Sequence, residues 1–184
     1  MAEFEIANVV GWITYSQELD LAELAETFEQ RPEINSVTYE PSKNHWLQSR
    51  FAPDDTYVPF YRSGKASITG ANSPEHFREI ASQVNGLMRE LLGFDHEPTT
   101  EITNIVAVTE LNPLPQLETI VIELGLKHTE YEPEQFPAII YRSENAVILI
   151  FASGKIVCTG AAEIKQISSV IDKVTEQIEA ITIS

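Results

Sequence analysis

The chain has 184 residues, 43 % of them hydrophobic, enough for one or two small domains with a proper core. Its 28 acidic and 12 basic residues leave a formal net charge of −16, a balance that ordinarily argues against nucleic acid as a partner. The longest apolar run, Ala146 to Ala152, is too short to span a bilayer, the opening MAEFEIANVV carries no secretory pattern, and a single cysteine, Cys158, excludes an intrachain disulfide; the expectation is a cytoplasmic protein with no membrane partner.

In chain order, Phe4, Ile6, Val9 and Val10 open a β-rich run. Asp20 and Glu23 have the spacing of a capping pair ahead of Leu21, Leu24, Ala25 and Phe28, which recur at helical intervals. Strands are expected at 34–40, 46–51, 56–62 and 65–71, with turns at Pro53-Asp54-Asp55 and Ser63-Gly64. Ser73-Pro74 then starts a helix whose Phe77, Ile80, Ala81, Val84, Leu87, Met88 and Leu91 form one apolar stripe, and Gly93 stops it. After GFDHEPTT the same succession returns: a strand at Asn104, a short helix bearing Leu117, Ile120, Val121 and Leu124, more strands, and a long helix marked by Ile164, Ile167, Ile171, Val174 and Ile178.

The return is a repeat. Asn8 matches Asn104, Tyr39-Glu40-Pro41 matches Tyr131-Glu132-Pro133, Arg50 matches Arg142, and Ser63-Gly64-Lys65 matches Ser153-Gly154-Lys155. The offset shrinks from 96 to 92 to 90, as it must when loop lengths alone differ. The expected organisation is a first repeat at 1–92, a linker at 93–100 and a second repeat at 101–184, an α+β pair related by a pseudo-twofold. Five strands and two one-sided helices per repeat imply a sheet with helices on one face. In AVILIFA, however, Val147, Leu149 and Phe151 alternate with Ile148 and Ile150, so both faces of that strand are apolar and the second face needs a cover.

The charges are unevenly spread. Residues 43–65 and 142–155 hold Lys43, Arg50, Arg62, Lys65, Arg142 and Lys155 against Asp54, Asp55 and Glu144, while the remainder has 6 basic and 25 acidic residues. Asn8 and Asn104 sit inside apolar strands, where an amide needs a partner. Phe136 and Phe151, taken alone, read as ordinary core aromatics, and Cys158, between Val157 and Thr159, reads as pointing into the core. His45, His76, His96 and His128 lack metal-ligand spacing, and no phosphate loop, nucleotide fingerprint or catalytic triad is present, so neither an enzyme nor a cofactor is expected.

Taken together, NIVAV, YEPEQFPAIIYR and LIFASGKIVCTGA resemble the TATA-box-binding protein family in order and spacing, and with the acid excess QELDLAEL looks most like its halophilic archaeal members. The resemblance implies a saddle: a curved ten-stranded antiparallel sheet that sits on the DNA minor groove, with four helices on the convex face. The family is the reference example of minor-groove kinking by apolar wedges. Carried over, Asn104 would donate to base acceptors, Val106 and Val157 would pack on the groove floor, Phe136 and Phe151 would be paired wedges beside Leu149, Thr159 would reach a base, and Arg142, Ser153 and Lys155 would lie at phosphates. Glu132, Glu134 and Gln135 would meet the B-type initiation factor, and through it RNA polymerase. In the first repeat Asn8, Val10, Arg50, Ser63, Lys65 and Thr69 are in place, with Tyr61 at the second wedge position. Asn44 stands where the first wedge belongs, Pro59 replaces a leucine and Ser67 a valine, which implies a weaker kink under that half. The function implied is a general or alternative initiation factor that bends AT-rich, TATA-like DNA at the nucleoid. The alternative is a diverged interaction module or regulator that competes for the B-type factor without productive promoter binding. Weak homodimerisation through the concave face is left open.

Overall fold

The computed structural model describes residues 2–183. The elements are β1 (Glu5–Thr14), α1 (Leu21–Phe28), β2 (Ile34–Thr38), β3 (Trp46–Phe51), β4 (Thr56–Tyr61), β5 (Lys65–Ala71) and α2 (Pro74–Leu92), then β6 (Thr99–Glu110), α3 (Leu117–Leu124), β7 (Thr129–Glu130), β8 (Ala138–Arg142), β9 (Val147–Phe151), β10 (Lys155–Ala161) and α4 (Ile164–Ile183). The fold class expected from the sequence is the one observed: two α+β repeats, ten antiparallel strands in the order β2-β3-β4-β5-β1-β6-β10-β9-β8-β7, and four helices. The main differences lie at strand ends, with β2 closing at Thr38 and β7 reduced to two residues.

Local chemistry explains the helix boundaries. The Asp20 carboxylate accepts from the backbone N–H groups of Ala22 (3.0 Å) and Glu23 (3.1 Å), so Glu23 joins the cap through its backbone. Ser73 Oγ accepts from the His76 N–H at 3.0 Å, and Pro74 occupies a first-turn position where its missing N–H costs nothing. Gly93 ends α2 with φ 60°, its N–H donating to the Arg89 carbonyl.

The chain packs as two compact units, residues 8–103 and residues 2–7 with 104–183. In the first unit Phe28 of α1 stands edge-on to Phe60 (5.3 Å between centroids) and Phe51 (6.0 Å), and Phe77, Val84 and Met88 of α2 complete the core with Ile13, Leu47 and Ile68. In the second, Ile120 of α3 and Ile167, Ile171 and Val174 of α4 pack with Ile105, Ile139, Ile148, Ile150, Ile156 and Cys158. Helix-facing positions are buried, and most of the residues between them on the same strands are half-buried or exposed, with Pro59 and Ala138 as buried exceptions. Each unit therefore has a helix-covered face and an open one, as two one-sided helices per repeat implied.

Both SGK turns are built alike. Gly64 and Gly154 have φ of 86° and 93°, and each accepts a backbone hydrogen bond at its carbonyl, from Tyr15 (2.8 Å) and Leu111 (2.9 Å). A Cβ would lie 1.9 Å from the Gln17 carbonyl oxygen at Gly64 and 2.5 Å from that of Leu111 at Gly154. Glycine is required twice over, by backbone angle and by space. The turns leave Ser63, Lys65, Ser153 and Lys155 exposed at the strand ends.

Candidate nucleic-acid interface

The open face of the second unit is assembled by strand register. Val157 pairs with Val108 and Leu149, Leu149 with Ile140, Phe151 with Ala138, and Arg142 with Val147, so all these side chains share one face with Val106 and Lys155. Phe136, from the turn before β8, lies edge-on to Phe151 with 6.1 Å between ring centroids, and stays 38 % exposed. A phenylalanine that exposed is not a core residue. Its partner Phe151 is half-buried, so the pair forms a ridge on an apolar floor.

Asn104 is held by its oxygen. The side-chain carbonyl accepts from the Gly160 N–H (2.7 Å) and from Thr159 Oγ1 (3.2 Å), at the register shift where β10 slips against β6. Asn8 repeats this at the corresponding slip between β1 and β5: its Oδ1 accepts from the Gly70 N–H at 2.7 Å, and Thr69 Oγ1 lies 3.5 Å from its Nδ2. With each oxygen accepting from a backbone N–H, the NH2 group is the end left to donate; that of Asn8 makes a long bond to Thr69 Oγ1, whereas Thr159 donates to the oxygen of Asn104. Minor-groove edges of A·T pairs display acceptors only. The amide question raised by the sequence is answered by the bulge glycines.

The open face of the first unit carries Asn8, Val10, Trp12, Ser67 and Thr69 beside Tyr57, Pro59 and Tyr61 of β4 and Trp46, Gln48 and Arg50 of β3, again by register. Trp12 and Tyr57 were not singled out from the sequence, and Trp46 stands out there only as the end of the divergent segment Asn44-His45-Trp46. Strand alternation holds the signal, since Trp12 follows Val10 by two residues and Trp46 precedes Arg50 by four. Asn44 is half-buried in the turn before β3. Burial, with the neighbouring Tyr57, pushes the Tyr61 phenol above its ordinary pKa.

The expected phosphate-contacting arginines are both engaged by carboxylates. Arg142 Nε donates to Glu130 at 3.0 Å, which raises the guanidinium pKa and lowers that of the carboxyl. Arg50 donates to the Asp55 carbonyl oxygen at 3.0 Å and lies 3.3 Å from its carboxylate. Lys155 is the cross-strand partner of Glu110. Val10, Val106, Leu149, Val157, Thr69 and Thr159 are half-buried on the open faces.

Glu132, Glu134 and Gln135 are exposed on the turn between β7 and β8, where the N–H groups of Gln135 and Phe136 both donate to the Glu132 carbonyl at 2.9 Å. Cys158 is fully buried, and burial pushes its thiol up to about 11, so it offers no nucleophile.

Comparison with known proteins fits this geometry. Residues 3–91 and 99–181 match the family model described as transcription factor TFIID, or TATA-binding protein. The chain belongs to the TATA-box-binding protein family. TATA-box-binding protein C of Halobacterium salinarum is 36 % identical over 95 % of this chain and 97 % of its own length. The TATA-box-binding protein of Thermoplasma volcanium is 35 % identical over 96 % of this chain and 94 % of its own. The solved Methanococcus jannaschii TBP superimposes with a TM-score of 0.77 at 34 % identity, covering 97 % of this chain and 99 % of that one. These are archaeal relatives, a halophile among them, and the family is one of DNA-binding transcription factors rather than enzymes. Among the described residues no helix is long and apolar enough to cross a membrane.

Proposed function

We propose that this protein is a transcription initiation factor that lays its open sheet faces on the minor groove of AT-rich, TATA-like promoter DNA, bends it, and recruits the B-type initiation factor and, through it, RNA polymerase at the nucleoid. The observation that carries the reading is the pair of asparagines, each with its oxygen bonded to a bulge-glycine N–H, so that the amide's remaining capacity beside an apolar floor is that of a donor. Around the second asparagine lie Val106, Val157 and Leu149 as floor, Thr159 as a further polar contact, and Phe136 and Phe151 as the ridge that enters an unstacked base step. Such an insertion offsets part of an unstacking cost of a few kcal/mol per step, a mechanism for which this family is the reference example. Lys65, Lys155, Ser63 and Ser153, at the tips of the SGK turns, meet phosphates, with Arg50 and Arg142 joining once released from their carboxylates. The exposed Glu132–Gln135 turn is the docking element for the B-type factor, whose matching surface is basic.

The test is titration of a TATA-like duplex and a scrambled duplex of equal length, followed by fluorescence anisotropy in molar potassium chloride. Selective binding of the first is the expected result. Equal binding of both, or none, refutes promoter recognition.

A further inference from the structure

In the first unit the turn that should carry a wedge is intact, but the ring is not on it. The N–H groups of Lys43 and Asn44 donate to the Glu40 carbonyl at 2.8 and 2.9 Å, just as Gln135 and Phe136 donate to Glu132 in the second unit. Asn44 thus occupies the place of Phe136. A ring nevertheless stands beside Tyr61. Trp46, two residues further on, is the cross-strand partner of Tyr61, as Ala138 is of Phe151. Its ring centroid is 6.3 Å from that of Tyr61, and Trp12 lies at 5.6 Å from the same ring. The site that holds a small alanine in one unit holds an indole in the other.

This cluster is built for covering. Trp46 Nε1–H donates to the Tyr57 hydroxyl at 3.3 Å, so a base could stack on the indole without orphaning its donor. Arg50 sits 5.5 Å over the Tyr57 ring and Lys65 5.9 Å over Trp12, which places two cations at the margin of the aromatic surface, where phosphates pass. All four rings lie on the open face with Asn8 and Val10, and the rings of Trp12, Trp46, Tyr57 and Tyr61 remain only half-buried.

We infer that Trp46 with Tyr61, backed by Trp12, is the base-stacking wedge of the first unit, moved from the turn onto the strand. The inference rests on the proposed binding of DNA and deepens it. It also revises the expectation of a weaker kink under this half: the phenylalanine absent at Asn44 is replaced by a ring two residues further on.

Trp12 and Trp46 are the chain's only two tryptophans, so intrinsic emission reports this cluster directly. In a Trp12→Phe variant Trp46 is the sole emitter, and its emission should be strongly quenched when a TATA-like duplex binds. Trp46→Ala should weaken binding about tenfold and reduce the bend measured by energy transfer between duplex ends, while Trp46→Phe should restore most of both. Circular dichroism checks the fold; if Trp46→Ala does not fold, the emission of Trp12→Phe decides. A duplex that binds and bends while Trp46 emission stays unchanged, or a folded Trp46→Ala variant that binds and bends like the parent, overturns the wedge and leaves promoter binding standing. A parent protein that binds no duplex overturns the functional reading, and the wedge with it.

Discussion

The open face and the helix-covered face of the second unit make opposite demands, and Phe136, packed on Phe151 of β9, and Ile150 of β9 separate them. Phe136 keeps 38 % of its surface open, which for a side chain of roughly 200 Å² leaves about 80 Å² to be covered. At about 25 cal/mol per Å² that area is worth about 2 kcal/mol when a base step closes over it, or about thirtyfold in affinity. Phe136→Ala should therefore cost roughly that much in DNA binding, lower the bend angle, and leave folding stability within about 1 kcal/mol, because little packing is lost in the free protein. Ile150, next to Phe151 on β9, is fully buried against the helices, and Ile150→Ala should cost about 2–5 kcal/mol of stability. Urea unfolding of both variants, with anisotropy and duplex-end energy transfer on each, makes the comparison. The reasoning is refuted if Phe136→Ala is as unstable as Ile150→Ala while it binds and bends DNA like the parent.

Three further outcomes are expected. Affinity for a TATA-like duplex should hold or rise from dilute buffer to molar potassium chloride, because few cations contribute counterion release and the net charge of −16 opposes binding at low salt; a steep monotonic loss would contradict this. Glu132→Arg or Glu134→Arg should leave DNA binding nearly intact but abolish the ternary complex with the B-type factor, since like-charge contact with a basic surface costs several kcal/mol; unchanged assembly in a mobility-shift assay removes the turn from that interface. Cys158 contributes stability that is intact below the ordinary thiol pKa and is lost as pH rises towards about 11, because the unfolded thiol ionises first while burial keeps the native one protonated. Urea midpoints at pH 8 and pH 10.5 should fall in the parent and fall less in Cys158→Val, with equal falls counting against the argument.

Much of the fold was legible because its signals are local. Asp20, Ser73-Pro74 and Gly93 each act on backbone groups within a turn of themselves, so sequence spacing alone locates them. The SGK frame was legible as a repeat, although its cause, a carbonyl packed against each glycine, comes from Gln17 and Leu111, far away in sequence. What was not legible depends on register. Trp46 gains meaning only when β3 is laid against β4 and it falls opposite Tyr61; matched by position to a pattern centred on Asn44, it vanishes. Glu130 likewise reaches Arg142 only because the two-residue β7 pairs with β8, and so short a strand leaves no alternation to detect.

That last pairing bears on how so acidic a chain can hold DNA. Arg142 is tied to Glu130 and Arg50 to Asp55, so the groups best suited to phosphates are neutralised within the protein. All four partners are largely exposed, and exposed pairs are worth little and are screened by salt. At molar ionic strength the Debye length is about 3 Å, roughly the length of the pairs themselves, so distant carboxylates no longer oppose a phosphate while a direct guanidinium–phosphate contact survives. Apolar contacts on the open faces do not weaken under the same conditions. The balance then shifts from charge to burial as salt rises, which suits a face floored by valines and aromatic rings better than one built on lysine. On the proposed reading, an asparagine bonded through its oxygen to a bulge glycine supplies selectivity that needs no net charge, and both units carry one.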